Sequence, residues 1–442
     1  MSESVYISTY GCQMNVNDTE RMYALLEMAN YEPAKSPEDA SLIIINSCSI
    51  REKAVHKVHS EVGKYKKLKD KKPGLKIGVG GCVAQQEKDK LLKDVPLLDF
   101  VFGTDSIDKL PSIVHQVKTR NTREVSAQFA HSDPYQIETL ILNPGVSTFV
   151  NITKGCDNFC TFCVVPFTRG RERSRNIDEI ISDVHKLRAR GVREVTLVGQ
   201  NVNSYKSVGG ENFGDLLETV ARRTDIERIR YTTPHPKDFN EDLALIMARH
   251  QDKIMEYIHL PAQSGNSEIL ERMNRGYTRE EYLQKARMLQ SVVPGAVFST
   301  DLIVGFPGET EEQFQDTLTL LDEVPFESIY AFKYSPRPFT KAAKFTDQVD
   351  EEVKSDRLTR LLSKHREQAF VFAKKYENQT LNVLVEEFHE KEGSYFGRSR
   401  QNKSVHFTAQ KDLNLVGQTV NVKINKAFPS TLHGELSGDI AI

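Results

Sequence analysis

Hydrophobic positions along the first 120 residues switch repeatedly between two periods. Short β-prone runs at Val5–Thr9, Leu42–Asn46 (L-I-I-I-N), Lys76–Gly80 and Phe100–Phe102 predict buried strands. Between them, Asn17–Asn30 carries Met22, Leu25, Leu26 and Met28 at helical spacing, and the charged Glu52–Leu68, the stretch 84–92 and Ile107–Val117 also predict helices. Strand and helix in alternation predict a doubly wound parallel sheet over residues 1–120. Polar turn residues, Asp133-Pro134 among them, predict a linker over 121–143. The alternation then resumes, with strands at Ser147–Ile152, Glu194–Val198, Arg228–Thr232, Tyr257–Leu260, Phe298–Val304 and Ser328–Tyr334. Helices are expected at Ile177–Arg190, Phe213–Arg223, Leu243–Ala248, Ser267–Met273 with Arg279–Val292, and Glu311–Glu323. A full barrel has eight βα units; about six predict an open, partial (β/α)6 barrel over 144–377, with Asp350–Tyr376 as a long charged connecting helix. From 378 to 442 the pattern becomes alternation (L-N-V-L-V-E-E-F, S-V-H-F-T-A, T-V-N-V-K-I-N) punctuated by Gly393, Gly397 and Gly417, which predicts a small antiparallel β-barrel. The fold class is α/β in three parts.

Length agrees with that division, since 442 residues exceed one ordinary core and 39% hydrophobic content can build several. Lys plus Arg number 59 against 61 Asp plus Glu, a net charge of −2, so any nucleic-acid partner must be held by local patches. Three such patches stand out. Lys64–Lys72 reads either as a solvated helix end or as a phosphate-contacting run. Arg169–Arg175 places four arginines in seven residues, whose planar forks suit phosphate, the alternative being an exposed salt-bridged turn. In the C-terminal part, seven basic residues balance seven acidic ones, so binding needs one face, drawn from Arg398, Arg400 and Lys403 near Tyr395 and Phe396. No run approaches the roughly 20 apolar residues of a membrane span, and M-S-E-S-V-Y-I-S-T-Y has no signal-peptide character, so a cytoplasmic location and no membrane partner are expected.

The six cysteines change the picture most. Cys156, Cys160 and Cys163 stand in G-C-D-N-F-C-T-F-C, a C-x3-C-x2-C loop compact enough to wrap one small metal centre. Structural zinc wants four ligands, and no fourth is near; iron–sulfur clusters are held by thiolates, and three would leave one iron open. Cys12, Cys48 and Cys82 each follow a predicted strand, in Y-G-C-Q, N-S-C-S and G-G-C-V. Ligands of open α/β sheets sit outside the carboxyl ends of strands, so these three share the edge where such a fold builds sites. A second cluster with three protein ligands is expected there, leaving no cysteine for a disulfide. In the barrel the same rule points to Gln200, Asn201, Thr233, His235, Gln263, Ser264, Gly305 and Gly308, just past predicted strands.

The cysteine loop, with Phe162 at its aromatic position, resembles the signature of radical S-adenosylmethionine (SAM) enzymes. The three-part order, together with Tyr10–Glu20 (Y-G-C-Q-M-N-V-N-D-T-E), Cys160–Arg175, Leu197–Tyr205 (L-V-G-Q-N-V-N-S-Y) and His259–Gly265 (H-L-P-A-Q-S-G), resembles the methylthiotransferases, and within them the tRNA-2-methylthio-N6-dimethylallyladenosine synthases. Gln13-Met14 stands where the ribosomal-protein branch carries Pro-Lys, and the threonylcarbamoyl-adenosine branch usually has Lys there too. The resemblance implies an N-terminal cluster domain, a radical SAM barrel and a C-terminal TRAM barrel that binds RNA. It implies two 4Fe-4S clusters and two SAM per turnover. Cys156, Cys160 and Cys163 would hold the cluster that cleaves SAM; Cys12, Cys48 and Cys82 would hold the one that carries sulfur. SAM would sit among Phe162, Gln200, Asn201, Thr233, Gln263, Ser264 and Gly305. The implied substrate is C2 of N6-dimethylallyladenosine at position 37, in the tRNA anticodon stem-loop. A flavodoxin or ferredoxin would be the electron donor, the sulfur donor stays unknown, and a monomer is expected. The alternatives are the same chemistry on threonylcarbamoyl-adenosine or on a ribosomal-protein aspartate, and an iron–sulfur RNA-binding protein without catalysis.

Overall fold

A computed structural model of the chain describes residues 3–49, 54–129, 135, 138–410 and 413–438. Asp133-Pro134 and the first residues of the expected helix Glu52–Leu68 lie outside them. The N-terminal part is a parallel sheet of β1 (Glu3–Tyr10), β2 (Tyr31–Pro33), β3 (Leu42–Ser47), β4 (Lys76–Gly81), β5 (Phe100–Phe102) and β6 (Glu124–Ser126), in the order β2-β1-β3-β4-β5-β6. Both faces of β3 are buried: Ile43 and Ile45 pack on the side of helix Ala54–Lys64, while Leu42 and Ile44 pack with Met22, Leu26, Ile113 and Val114. That is why L-I-I-I-N reads as a continuous apolar run, as strands of a doubly wound sheet do. The strand β6 falls inside the stretch expected to be a linker, where it extends the edge of β5 by Val101↔Val125 pairing. The expected helix 84–92 is two short helices, Cys82–Glu87 and Asp89–Asp94, broken at Lys88 with φ 48°.

The central part continues with β7 (Ser147–Asn151), β8 (Thr153–Lys154), β9 (Arg173–Ser174), β10 (Glu194–Val198), β11 (Arg228–Tyr231), β12 (Tyr257–His259), β13 (Val297–Val304) and β14 (Phe326–Lys333). Parallel pairing runs β7-β10-β11, a parallel bridge from Ile229 to Ile254 leads to the chain entering β12, and β12-β13-β14 completes the set. Six parallel strands with outer helices make the partial barrel. Its helices start where side chains satisfy the first free N–H groups: Asn212, Thr278 and Thr310 each form a capping box. The short antiparallel pair β8–β9 pinches off residues 155–172 as one loop.

The last part is a closed barrel of β15 (Thr380–His389), β16 (Ser394–Ser399), β17 (Ser404–Thr408), β18 (Thr419–Ala427) and β19 (Thr431–Leu436), joined to the central part by the helix Glu351–Lys374. Four of its five strand pairings are antiparallel, and β17–β19 is parallel. The turn 399–403 docks on the amino-terminal ends of the central strands. Arg400 pairs with Glu256 at 3.0 Å, Lys403 with Glu327 at 2.6 Å, and Arg230 donates to the carbonyls of Ser399 and Arg400. Arg400 and Lys403 are therefore interface residues and Tyr395 is core, not the RNA face expected of them; only Phe396 and Arg398 of that group remain at the surface. Arg400 and Lys403 are claimed by carboxylates far away in sequence, whereas Tyr395 packs on Phe388 and Phe407 of its own barrel.

Candidate active site

Sheet register brings the first cysteine trio together. Tyr10, Ser47 and Gly81 stand side by side across β1, β3 and β4. Cys48 and Cys82 are each one residue beyond that row and Cys12 is two beyond it. Strands lie about 4.8 Å apart, so three thiols at this edge lie within one cluster's reach. The strand order reverses between β1 and β3, the switch point where doubly wound sheets take ligands. Gly11 is required: a Cβ there would sit 2.8 Å from Cβ of Cys48. A hydrogen bond from the Cys48 thiol pulls the Cys12 thiol down to about 6; burial opposes this, while the Arg169 cation and the N–H groups of Asn15 and Met14 assist it.

The second trio lies in the loop that β8 and β9 close. Gly155, at φ 81°, packs so tightly on the carbonyl of Arg171 that any side chain would collide. The Cys163 N–H donates to the Cys160 carbonyl at 3.0 Å, Cys156 N–H to Gly170 at 3.3 Å, and Thr161 N–H to Met273 at 3.0 Å. Burial raises the Cys156 thiol to about 11 and the Cys163 thiol to about 12, and the neighbouring Cys160 adds to both. Buried Arg275 donates to Cys160 Sγ at 3.3 Å. Three closely spaced thiols in a dry loop, where burial disfavours the free thiolate, are a donor set that an iron cluster can hold deprotonated by supplying positive charge. The residues fit that group; at the first trio the fit rests instead on the lowered Cys12 thiol and on the shared strand edge.

The two sites meet across one interface. Arg169, six residues after Cys163, reaches back to the N-terminal sheet and pairs with Asp18 at 2.7 Å, both side chains being buried. Burial opposes its charge, yet Asp18 and the neighbouring Cys82 and Cys12 side chains hold its pKa well above the usual value. Arg173 pairs with Asp105 at 3.0 Å and Arg175 with Asp183 at 2.6 Å. The arginine run is thus an ion-paired junction rather than the phosphate patch expected from its composition; of the four, Arg171 alone is largely exposed, and it pairs with Asp157.

Among the other expected residues, Gln200 accepts the Gly155 N–H and so braces the cysteine loop. Asn201 donates to Asp238 at 3.0 Å, and Thr233, at φ 62°, donates to the Gly199 carbonyl at 3.0 Å. These three cluster at the ends of β10 and β11. Gln263, at φ 71°, is threaded between Asp301 and Ile303 by backbone bonds, and buried Ser264 accepts the Asn266 N–H at 3.2 Å. Gly305 donates to Glu309 at 2.6 Å and lies against Lys354 of the long helix. Phe162, with Ile303 and Phe345, packs against a small apolar cluster of Ile269, Met273, Phe306, Tyr334 and Ala342. Thr153 Oγ1, Gln200 Nε2, Asn201 Oδ1 and His235 Nε2 are buried with no protein partner. Orphaned polar atoms at one edge fit a polar cofactor there. Burial, then the charges of Arg275 and Lys237, depress His235 to about 2, keeping it neutral. Arg275 and Thr153 were not singled out from sequence; nothing local marks an arginine 115 residues from its sulfur partner.

A three-cysteine loop at the carboxyl ends of a partial barrel, beside a second cysteine trio on an added parallel sheet and followed by a small terminal barrel, is the arrangement of a radical SAM protein. Matching regions agree: residues 150–321 match the Radical SAM superfamily, 374–437 the TRAM domain, and 4–103 the uncharacterized protein family UPF0004. Radical SAM methyltransferase TsrM from Kitasatospora setae, solved with cobalamin and a [4Fe-4S] cluster, shares the fold at TM-score 0.55 and 14% identity over 78% of this chain and 77% of its own. The tRNA-2-methylthio-N(6)-dimethylallyladenosine synthase of Bdellovibrio bacteriovorus is 62% identical over 99% of this chain and 96% of its own length. That of Geobacillus thermodenitrificans is 45% identical over 98% and 83%. The chain belongs to the tRNA-2-methylthio-N(6)-dimethylallyladenosine synthase family.

Proposed function

We propose that this protein is a tRNA methylthiotransferase that replaces the C2 hydrogen of N6-dimethylallyladenosine at position 37 with a methylthio group. The observation that carries the reading is the convergence of two cysteine trios on one interface, which Arg169 spans. Cys156, Cys160 and Cys163 would hold one 4Fe-4S cluster and Cys12, Cys48 and Cys82 the other. Together with SAM, used twice per turnover, these groups supply the radical that removes the hydrogen and the sulfur and methyl that replace it. The chain's own residues position and insulate. Arg275 fixes Cys160, and Gln200 fixes the loop backbone at Gly155. Neutral His235, Thr153 and Asn201 offer hydrogen bonds to polar groups of SAM at the strand ends. A base in an anticodon loop is already unpaired, so presenting it costs only a few kcal/mol.

The domain division 1–120, 144–377 and 378–442, with 121–143 between, belongs to the same proposal, as do a flavodoxin or ferredoxin donor, a monomeric state and a cytoplasmic location. Among the described residues no helix is long and apolar enough to cross a membrane, and a set of six cysteines divided between two candidate metal sites suits a reducing compartment. The test is anaerobic incubation with SAM, reductant and a prenylated anticodon stem-loop, followed by nucleoside mass analysis. Formation of 2-methylthio-N6-dimethylallyladenosine supports the reading. Product only from threonylcarbamoylated RNA, or only on a ribosomal protein, overturns it.

A further inference from the structure

Two large aromatic rings lie part-exposed on the surface beside the second cysteine trio. Phe167, in the short helix Val165–Thr168 that follows Cys163, is 42% exposed, and Phe339 is 59% exposed. Their ring centroids are 5.8 Å apart with 34° between planes, so they form one apolar surface. Phe339 sits at φ 71°, a conformation that costs a bulky residue about 1 kcal/mol or more and persists where the surroundings impose it. The imposition is visible. The Ala342 N–H donates to the Thr161 carbonyl at 2.9 Å, between Cys160 and Cys163, and Thr340 hydroxyl donates to the Arg337 carbonyl at 2.8 Å. The strained loop is therefore tied to the cysteine loop itself. Residues 335–345 (S-P-R-P-F-T-K-A-A-K-F) carry Arg337, Lys341 and Lys344 and no acidic residue, and both lysines are exposed.

We propose that the Phe167–Phe339 pair receives the dimethylallyl group and the unstacked base of the substrate adenosine, while Arg337, Lys341 and Lys344 take the flanking phosphates. This rests on the function proposed above. An unpaired base stacks on aromatic side chains, and a five-carbon hydrocarbon tail gains from leaving water against a ring. Basic residues at the rim hold phosphates without reading sequence. The pair thus supplies the preference for a prenylated over an unmodified adenosine.

The test uses the reconstituted holoenzyme and two anticodon stem-loop RNAs differing only in the dimethylallyl group. Binding of both is measured for the wild type, Phe167→Ala, Phe339→Ala, and Lys341→Ser with Lys344→Ser. The wild type should prefer the prenylated RNA. Each phenylalanine variant should lose about tenfold of that preference while still binding unmodified RNA, which shows that it is folded. The double lysine variant should weaken both RNAs alike and flatten the salt dependence. If the wild type modifies the prenylated RNA but both phenylalanine variants keep its full preference, the assignment fails and the function stands. If those variants instead lose turnover with flavodoxin but not with dithionite, the pair docks the reductant and the assignment also fails. If the wild type modifies neither RNA, the function itself falls, and this assignment with it.

Discussion

Replacing Arg169 by Met should loosen the junction between the N-terminal sheet and the barrel and, in the same step, change the chemistry of Cys12. The pair with Asp18 is 2.7 Å long, with side-chain exposures of 4% and 9%. Removing one partner of so dry a pair leaves the other charge stranded, at a cost of about 3–5 kcal/mol. Asp18→Asn should cost a similar amount, yet the double variant leaves no stranded charge. Its cost should fall short of the sum by about 2 kcal/mol or more, because contacting residues couple. The assay is a double-mutant cycle on the cluster-free chain, read from the unfolding transition of the N-terminal part. In parallel, iodoacetamide labelling with mass mapping follows the Cys12 thiol, which sits near 6 with help from the Arg169 cation. Removing that cation should move its labelling midpoint to higher pH. Effects that add to within about 0.5 kcal/mol, with an unchanged labelling midpoint, would refute the reasoning.

Further outcomes follow from the same geometry. Cys156→Ala should abolish deoxyadenosine formation from SAM, whereas Cys48→Ala should keep some of it and lose methylthio product; chromatography of both products checks the split. Gly11→Ala should crowd Asn15 and Cys48 together, because the new Cβ would lie 2.6 Å from Cγ of Asn15 and 2.8 Å from the Cβ of Cys48, and iron analysis should show about half the wild-type iron lost. His235 is held at about 2, below the ordinary 6.5 of the unfolded chain. Its contribution is fully present above 6.5 and should fall by about 1.4 kcal/mol for each pH unit below that. Melting temperatures from pH 7 to 5 should therefore drop less in His235→Asn than in the wild type. Glu256→Gln should weaken docking of the terminal barrel by removing the carboxylate that Arg400 meets at 3.0 Å, seen as faster proteolysis near residue 377.

Much of this was legible in the chain, and what was not has a common cause. Leu42–Ser47 announces itself because both its faces are buried. The strands β2 and β6 do not, since Tyr31–Pro33 and Glu124–Ser126 are three-residue edge strands of mixed polarity, unlike the wholly apolar and buried Phe100–Phe102. Cys12, Cys48 and Cys82 could be placed at one edge because each directly follows a readable strand. The arginines could not be placed, because Asp18, Asp105 and Asp183, which claim Arg169, Arg173 and Arg175, are chosen by tertiary contact. Arg400 and Lys403 misled for the same reason: local sequence records a charge but not the carboxylate that buries it.

The central claim is that two separate trios of thiolates each hold a cluster. Iron and acid-labile sulfide content of the anaerobically reconstituted chain tests it most directly, in the wild type and in variants with either trio changed to alanine. The account predicts about eight of each per wild-type chain and about four in each triple variant. About four in the wild type, all lost with one trio and untouched by loss of the other, would contradict it.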